Sequence, residues 1–254
     1  MNNWNLKDKK ALVTGGSKGI GKAVVAELVA LGAEVLFTGR NETDLFNTEQ
    51  EFKQQGGRVT AISGDVADAA AQNRIVEWIA QHWGKLDILI NNAGINIRKA
   101  SHEYSVDEYN KVIGINMLAP FELCRLLFSL LQKGNKAAVV NIASVAGSYD
   151  VGTGAPYGMA KAGMIQMGRN LASEWAAYGI RVNTVSPWFT YTPLTKGLLS
   201  NPEKLDKIIS RTPLRRIAED NEVAAAVAFL VMDKASYITG QNLAVDGGIT
   251  ASLL

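Results

Sequence analysis

Short apolar runs alternate along the chain with longer segments in which apolar residues recur every three to four positions. The first run, Lys10 to Thr14, leads into a glycine-rich loop, and the periodic segment Lys22 to Leu31 stops at Gly32. A second apolar run follows at Glu34 to Thr38. Short apolar runs indicate buried strands, whereas the 3.6-residue period indicates amphipathic helices. The order strand, glycine loop, helix, strand predicts a parallel βαβ unit.

The same alternation continues through the rest of the chain. Further strands are predicted at Arg58–Ser63, Leu86–Ile90, Ala137–Ile142, Ile180–Val185 and Asn242–Val245. Further helices are predicted at Glu42–Gln55, Ala69–Trp83, from the capping box Ser105–Glu108 through Asn116 to a bend or break near Pro120, from Tyr157 to about Tyr178, and at Val223–Met232. Strands that alternate with helices predict an α/β fold, a doubly wound parallel sheet with helices on both faces in one domain over residues 1–254.

One segment lacks a clean period. Residues 188–219 contain Pro193, Pro202 and Pro213, and we expect them to form a substrate-covering lobe with one or two short helices.

Ligands of open parallel sheets bind beyond the carboxyl ends of the strands. Six residues with different candidate roles fall at those ends, namely Gly15, Arg40, Asp65, Asn92, Ser144 and Pro187. Their convergence predicts a single site along one edge of the sheet.

The glycine loop Gly15 to Gly21 lies between the first strand and the first helix. Glycines let the backbone approach a pyrophosphate, and a helix N-terminus offers N–H groups and a positive dipole end. A glycine turn that merely joins strand to helix is the alternative. The spacing Gly15, Gly19, Gly21 also departs from the commoner G-x-G-x-x-G.

The end of the second strand reads Thr38-Gly39-Arg40, where folds that bind NAD usually place an acidic residue. An arginine can hold a phosphate through two parallel hydrogen bonds, and Lys18 adds a second positive charge within the loop. Together they predict a ribose 2′-phosphate, and therefore NADP. Two solvated surface charges would be the alternative interpretation.

A loop from Ser144 leads into the helix that carries Tyr157 and Lys161, with Pro156 near its start. Tyr157 and Lys161 are four residues apart, so they share one helical face. A nearby ammonium favours the phenolate and would lower the pKa of the tyrosine, which then exchanges a proton with a carbonyl or alcohol oxygen. The Ser144 hydroxyl would donate to the same oxygen.

Composition and net charge limit the classes of partner that we expect for this chain. Of 254 residues, 47% are hydrophobic and 20% charged, and the formal net charge of +2 does not point to nucleic acid or an anionic membrane. Cys124 is the only cysteine, which fits a reducing compartment. His82 and His102 stand apart from metal-ligand spacing, so no metal site is expected. The polar start Met1 to Asn5 and the lack of a long apolar run predict a cytoplasmic protein.

The chain resembles the short-chain dehydrogenase/reductase family over essentially its whole length. The matching stretches are Thr14–Gly21, Asn91–Gly94, Asn116, Ser144, Tyr157–Lys161, Tyr237–Gln241 and Val245–Gly248. Trp4–Leu6, the Gly-Gly-Ser-Lys loop and Leu214–Arg216 look most like its tropinone-reductase-like branch.

The resemblance implies a role for each matched residue. Tyr157 would be the general acid, Lys161 would lower its pKa and hold the nicotinamide ribose, Ser144 would steady the carbonyl, and Asn116 would pin its helix and anchor a water. The cofactor-binding set would comprise Gly15, Ser17, Lys18, Gly19, Ile20, Gly21, Arg40, Asp65, Val66, Asn92, Ala93, Gly94, Tyr157, Lys161, Pro187, Thr190 and Thr192. A homotetramer or homodimer built on the long helices is also implied. For Asn116 the alternative is a polar cap of a helix kink, and for Asp65 an ordinary loop acid.

One departure from the family pattern concerns Trp188, which stands where the family usually has glycine after Pro187. Its indole would cover the nicotinamide or wall the substrate pocket. The expected pocket wall is apolar and comprises Tyr149, Val151, Trp188, Phe189, Leu194 and Leu198. This wall predicts a small to medium uncharged or alicyclic ketone, although Asp150 would favour a cationic one.

The first functional hypothesis is therefore an NADP(H)-dependent oxidoreductase that interconverts a ketone and a secondary alcohol. An NAD-linked sugar or polyol dehydrogenase on the same scaffold is one alternative. A non-catalytic NADP-sensing or scaffold protein is another, although such proteins commonly lose the tyrosine or the lysine.

Overall fold

The computed structural model describes residues 4–252, so Met1 to Asn3 of the polar start and the last two residues lie outside it. The strands of that range form one sheet: β1 (Lys10–Val13), β2 (Glu34–Gly39), β3 (Val59–Ser63), β4 (Ile88–Asn91), β5 (Ala138–Ile142), β6 (Arg181–Pro187) and β7 (Asn242–Val245). Their order is β3-β2-β1-β4-β5-β6-β7, and every pairing is parallel. The predicted fold class is confirmed.

Helices cover both faces of the sheet. The α-helices of the described range are α1 (Gly19–Ala30), α2 (Glu42–Gln54), α3 (Ala69–His82), α4 (Val106–Ile113), α5 (Ala119–Gln132), α6 (Ala155–Trp175), α7 (Pro193–Leu199), α8 (Pro202–Arg211) and α9 (Asp220–Val231). Apolar residues of α1, α2 and α9 pack on one face, and those of α3, α5 and α6 on the other. Because both faces of the sheet are covered, the inner strands β1, β4 and β5 are mostly apolar instead of alternating.

The strand order reverses between β1 and β4, which places a crevice where their carboxyl ends diverge.

Two helices start earlier than the sequence pattern predicts. Helix α1 begins at Gly19, inside the glycine motif, and α9 begins at Asp220 because Glu219 and Glu222 form a capping box. The first of these shifts places the N–H groups of the helix start directly within the glycine loop.

The long helix is interrupted by another means than the one predicted, and at another position. A single π-helical turn at Gly114–Leu118 joins α4 to α5, whereas Pro120 lies in the first turn of α5, where proline is tolerated. The stretch Val106–Gln132 is long and apolar enough to cross a membrane by length and composition alone, because it contains an 18-residue window with mean hydropathy 1.4. A core helix passes the same test, and 44% of this window is buried inside the protein, against α6 among other elements.

The segment between β6 and α9 forms the predicted lobe, with two helices, α7 and α8. Its own small core contains Leu199, Ile208 and Ile217, and Trp188 and Phe189 pack against it. The lobe is thus anchored by residues that directly follow β6.

Candidate active site

A cavity of about 870 Å³ runs along the carboxyl edge of the sheet. Every predicted catalytic and cofactor-binding residue lines it: Gly15, Ser17, Lys18, Gly19, Ile20, Gly21, Arg40, Asp65, Val66, Asn92, Ala93, Gly94, Asn116, Ser144, Tyr157, Lys161, Pro187, Thr190 and Thr192. The glycine loop and the Tyr157 helix therefore share one crevice.

The glycine loop is held from behind by Asn92, whose Nδ2 donates to the carbonyl oxygens of Thr14 (2.9 Å) and Gly15 (3.1 Å). Gly15 and Gly19 have φ of +66° and +52°, a region that favours glycine. A Cβ atom on Gly21 would overlap the Gly15 carbonyl oxygen and the Asn92 amide nitrogen. The loop thus needs glycine at Gly21 because the chain folds back on itself there. Asn92 lines the cavity and also holds the glycine loop in place through its two hydrogen bonds.

We expect Gly21→Ala to displace the loop and to lower the free energy of unfolding by about 3 kcal/mol, the upper range for an overpacked site. Cofactor binding should be lost with it. Gly197→Ala is the matched control, because nothing lies within 4 Å of a Cβ at that helical position. Thermal unfolding and cofactor titration measure both effects; an unchanged Tm and cofactor affinity in Gly21→Ala would contradict the overlap.

The glycine-loop end of the cavity holds two ion pairs. Lys18 Nζ lies 2.6 Å from Asp44 Oδ2, and Arg40 approaches Asp65 Oδ2 at 3.9 Å. Both basic side chains are more than half exposed. Exposed pairs contribute only about 0–1 kcal/mol, so either cation can exchange its carboxylate for a phosphate at little cost.

Asn116 is fully buried in the π-helical turn. Its Oδ1 accepts from Ile95 N (3.1 Å), and its Nδ2 donates to Ile95 O (2.9 Å) and to Val112 O (2.8 Å). The last of these contacts gives a side-chain partner to the Val112 carbonyl, in the helix just before the π turn. Asn116 therefore ties the π-helical turn to the loop after β4, and the water that it would anchor stays a prediction.

Ser144 ends the extended chain after β5, and its Oγ accepts from Ala146 N at 3.1 Å. Burial raises the pKa of Tyr157 above its ordinary value, while hydrogen bonding with Ser144 and the charge of Arg98 act in the opposite direction. Lys161 is not among the groups that shift the pKa of Tyr157. The prediction that a neighbouring ammonium makes this phenol acidic is therefore wrong for the protein without cofactor.

The reason lies in the burial of Lys161, whose side chain is almost inaccessible (3% exposed). Burial lowers the pKa of its ammonium to about 7, so much of its charge is lost at neutral pH. Its Nζ donates to Ile142 O at 2.7 Å and stands 5.7 Å from the centre of the Tyr157 ring. The ammonium thus faces the ring and the end of β5, beside the cavity.

Residues of the lobe form the opposite wall of the cavity. Thr192 caps α7, and a Cβ on Gly19 would lie 3.2 Å from its side chain, so the lobe contacts the glycine loop directly. Thr190 is buried, with its Oγ1 donating to the Trp188 carbonyl. The Trp188 indole lines the cavity and donates from Nε1 to Thr212 Oγ1 at 3.1 Å, so it walls the pocket and also anchors the lobe.

Of the six residues predicted to form the apolar wall of the pocket, only Trp188 and Leu194 line the main cavity. Tyr149 and Val151 instead line a separate depression of about 630 Å³ together with Asp150. Phe189 and Leu198 face inward to the lobe's own core. The prediction failed because sequence order alone does not reveal which cavity or which core each of these side chains faces.

Asp150 gives no support to a cationic substrate. Its Oδ1 accepts from Gly152 N at 2.9 Å, in a turn outside the main cavity. The acids that line that cavity, Asp44 and Asp65, lie at the Lys18 end.

Sequence reasoning missed several residues of the site. The Thr14 hydroxyl accepts from the N–H groups of Asn92 (2.9 Å) and Ala93 (3.0 Å), which joins β1 to the loop after β4. The pattern could have indicated Thr14, because it occupies a strand end like the other site residues. Arg98, whose charge reaches Tyr157, sits in a loop of no regular period and gave no such indication.

The histidines occupy ordinary positions. His82 stacks on Trp78 and its Nδ1 contacts the Trp78 carbonyl oxygen at 2.9 Å. Between Trp4 and Ser252, no group of three or more histidine, cysteine, aspartate or glutamate residues has a geometry that could hold a metal ion.

Known proteins are similar to this chain over most of its length. A family model described as enoyl-(acyl carrier protein) reductase matches residues 15–250. A tropinone reductase homolog of Arabidopsis thaliana is 43% identical over 253 residues, which cover 98% of this chain and 95% of the relative. The crystal structure of gox2181 superposes with a TM-score of 0.94 at 32% identity and covers 98% of each chain.

A gluconate 5-dehydrogenase from Burkholderia cenocepacia, solved in complex with NADP and tartrate, superposes with a TM-score of 0.94 at 27% identity and 99% coverage of both chains. The family model spans most of the chain, and the Arabidopsis relative is similar from end to end. This protein belongs to the short-chain dehydrogenase/reductase family of oxidoreductases, in its tropinone-reductase-like branch.

Proposed function

We propose that this protein is an NADP(H)-dependent oxidoreductase that interconverts a ketone and a secondary alcohol. The observation that carries the proposal is one cavity that joins a glycine loop at a helix start to the side chains of Ser144, Tyr157 and Lys161. A dinucleotide and a small carbonyl compound together need such an elongated crevice, with phosphate-binding backbone at one end and proton-transfer groups at the other.

The residues present fit a phosphorylated dinucleotide. Helix α1 begins at Gly19, which lines the cavity, so the N–H groups of the helix start are available to a pyrophosphate. Lys18 and Arg40 line the same end, and no acidic side chain occupies the end of β2. Their present partners, Asp44 and Asp65, are weak competitors for a dianionic phosphate.

Each catalytic side chain has a defined task. Ser144 donates a hydrogen bond to the substrate oxygen, and Tyr157 gives or takes the proton at that oxygen. A bound nicotinamide would supply or accept the hydride. Lys161, held by the Ile142 carbonyl, places a positive charge beside the phenol whenever it is protonated. Asn116 keeps the loop after β4 in place, so the cavity retains its shape.

The protein is further proposed to act in the cytoplasm as a homotetramer or homodimer, without nucleic acid or membrane partners. Large apolar side chains of the long helices support an oligomer, because they remain exposed on the single chain: Val106, Tyr109, Leu118, Phe121 and Met159. Exposed apolar patches of this kind mark interaction surfaces. Analytical ultracentrifugation would test the oligomer.

A sugar or polyol dehydrogenase remains the second candidate, since the Burkholderia structure is named a gluconate 5-dehydrogenase. A panel of ketones, sugars and sugar acids, assayed by NADPH and NADH absorbance, tests both candidates. Turnover of simple ketones with NADPH supports the first candidate, and turnover of polyols with NAD supports the second. Cofactor binding without any turnover would point to the sensing protein.

The cofactor preference rests on Arg40. We expect Arg40→Ala to raise the KM for NADPH about 10- to 100-fold, the loss of hydrogen bonds to a charged group, and to leave the KM for NADH nearly unchanged. Arg211→Ala, at the end of α8 and outside the cavity, controls for the loss of one positive charge. Equal KM values for NADPH and NADH in the unaltered protein would refute the phosphate clamp.

A further inference from the structure

A second, smaller cavity of about 100 Å³ lies beside the main one, between the lobe and the end of β7. Its lining includes the side chains of Phe189, Leu214 and Val245. Within residues 4–252, Trp188 is the one residue that lines both cavities. The indole therefore separates the main cavity from the smaller one.

The charged side chains around the smaller cavity already have partners. Arg216 donates from both terminal nitrogens to Glu222, at 2.6 Å in each case. The Asp246 carboxylate accepts from the backbone N–H of Gly248 (2.9 Å) and from the Thr250 hydroxyl (2.6 Å). Because these charges are satisfied, the space behind Trp188 suits an uncharged, apolar group.

Trp188 also lies near the reacting end of the main cavity. Ala143 N donates to the Val185 carbonyl at 2.8 Å, so the pairing of β5 with β6 continues past the end of β5. Ser144 is the next residue on the first chain, and Trp188 follows Val185 by three residues on the second. Both residues line the main cavity, so the indole borders the end at which the substrate oxygen is proposed to bind.

The indole is held at several points. Its Nε1 donates to Thr212 Oγ1 at 3.1 Å, and that hydroxyl donates in turn to the Ile208 carbonyl at 2.8 Å, which leaves its lone pair to the indole. The Trp188 carbonyl accepts from Thr190 Oγ1 at 3.2 Å. The Phe189 ring meets the indole edge-on, with 4.7 Å between the ring centres. A side chain bound in this way is a fixed wall and not a mobile one.

We propose that Trp188 is a specificity-determining residue: its indole is a fixed partition that limits the substrates to compact ketones of about one ring. The proposal rests on the proposed ketone–alcohol activity and names the size class of compound that the site accepts. Loss of the indole would join the two cavities. An apolar cavity of about 150 Å³ binds benzene, so the smaller cavity together with the space that the indole fills offers room for a phenyl group.

The test compares two ketones that differ by one phenyl group, cyclohexanone and 4-phenylcyclohexanone, each reduced with NADPH. In the unaltered protein we expect kcat/KM for cyclohexanone to be at least about tenfold higher, the discrimination that an apolar pocket reaches for a misfit of one methylene. Trp188→Ala should raise the ratio of kcat/KM for the phenyl ketone to that for cyclohexanone at least about tenfold, for the same reason. Trp188→Phe keeps an aromatic ring in the partition and should change this ratio far less.

Phe189→Ala is the matched control, because Phe189 packs on the same core of the lobe and lines only the smaller cavity. It enlarges that cavity but leaves the partition in place, so the ratio should stay close to that of the unaltered protein. Thr212→Val is a second test variant, in case Trp188→Ala fails to fold. It removes the acceptor of the indole N–H and should raise the ratio by a smaller factor.

An unchanged ratio in folded Trp188→Ala, or an equal change in Phe189→Ala, overturns the proposal, and so does equal turnover of both ketones by the unaltered protein. If neither ketone is turned over, the proposed function fails by itself, and a binding measurement decides on Trp188. 4-Phenylcyclohexanol should raise the Tm of Trp188→Ala loaded with NADP⁺, but not the Tm of the unaltered protein in the same state. Equal shifts in the two proteins, or no shift in Trp188→Ala, would refute the partition.

Discussion

Replacement of Tyr157 by phenylalanine is expected to lower kcat about 10²- to 10⁴-fold, the range for loss of a positioned general acid. The phenol is the proposed proton-transfer group, and it lines the cavity with Ser144. The ring itself should stay in place, because phenylalanine preserves its packing. NADPH oxidation with the best ketone of the panel measures the loss, and fluorescence titration shows whether the cofactor still binds.

Tyr149→Phe is the matched control for Tyr157→Phe. It removes the same hydroxyl from an exposed tyrosine that lines only the neighbouring depression, so kcat should change less than about twofold. If Tyr157→Phe kept full activity while its cofactor affinity was normal, the tyrosine mechanism would have to be abandoned.

The second large effect is expected from Lys161→Met, which keeps a long side chain but removes the charge and the donor to the Ile142 carbonyl. We expect kcat to fall about 10²- to 10³-fold, as for the loss of one preorganised donor in an active site. The same change should stabilise the protein without cofactor at neutral pH, because an almost inaccessible ammonium opposes folding.

The stability effect has a defined pH window. The pKa of Lys161 is about 7 in the folded protein, against an ordinary 10.5, a difference worth roughly 5 kcal/mol. Between these values the unfolded chain binds the proton and the folded protein does not, so the stability of the unaltered protein rises with pH from about 7 to 10.5. Below about pH 7 both states are protonated, and the penalty is constant and largest.

The advantage of Lys161→Met in free energy of unfolding should therefore be greatest at or below about pH 7 and shrink toward pH 10.5. Urea unfolding at a series of pH values measures it. Lys133→Met, at the exposed C-terminal end of α5, is the control and should show no such trend. An advantage that grows with pH would contradict the burial of a protonatable amine.

These pH effects explain why the predicted acidic phenol was wrong. The four-residue spacing of Tyr157 and Lys161 correctly places both side chains in one cavity. It carries no information on how deeply each side chain is buried, and burial disfavours the phenolate and the ammonium alike. In the protein without cofactor, burial therefore outweighs the attraction that spacing alone suggests.

For the helices and strands around the site, the sequence predicted some features correctly and missed others. Strand β7 has the predicted bounds, and the alternation of strands and helices gave the parallel sheet. The π-helical turn at Gly114–Leu118 was not predicted, because the residue that bonds to the Val112 carbonyl just before it, Asn116, also bonds to a loop 21 positions away. Such a distortion is stable only when both partners are already in place.

By itself the sequence determined the fold class, the edge of the sheet that carries the cavity, and the predicted catalytic and cofactor-binding residues that line it. Hydrophobic period and glycine position act locally, and parallel strands bring their carboxyl ends to one edge whatever the details of packing. Only the tertiary structure decided which loop side chains face the cavity, how deeply Lys161 is buried, and the effect of burial on the pKa values of Tyr157 and Lys161. These depend on burial and on contacts between distant segments, and no local pattern encodes either.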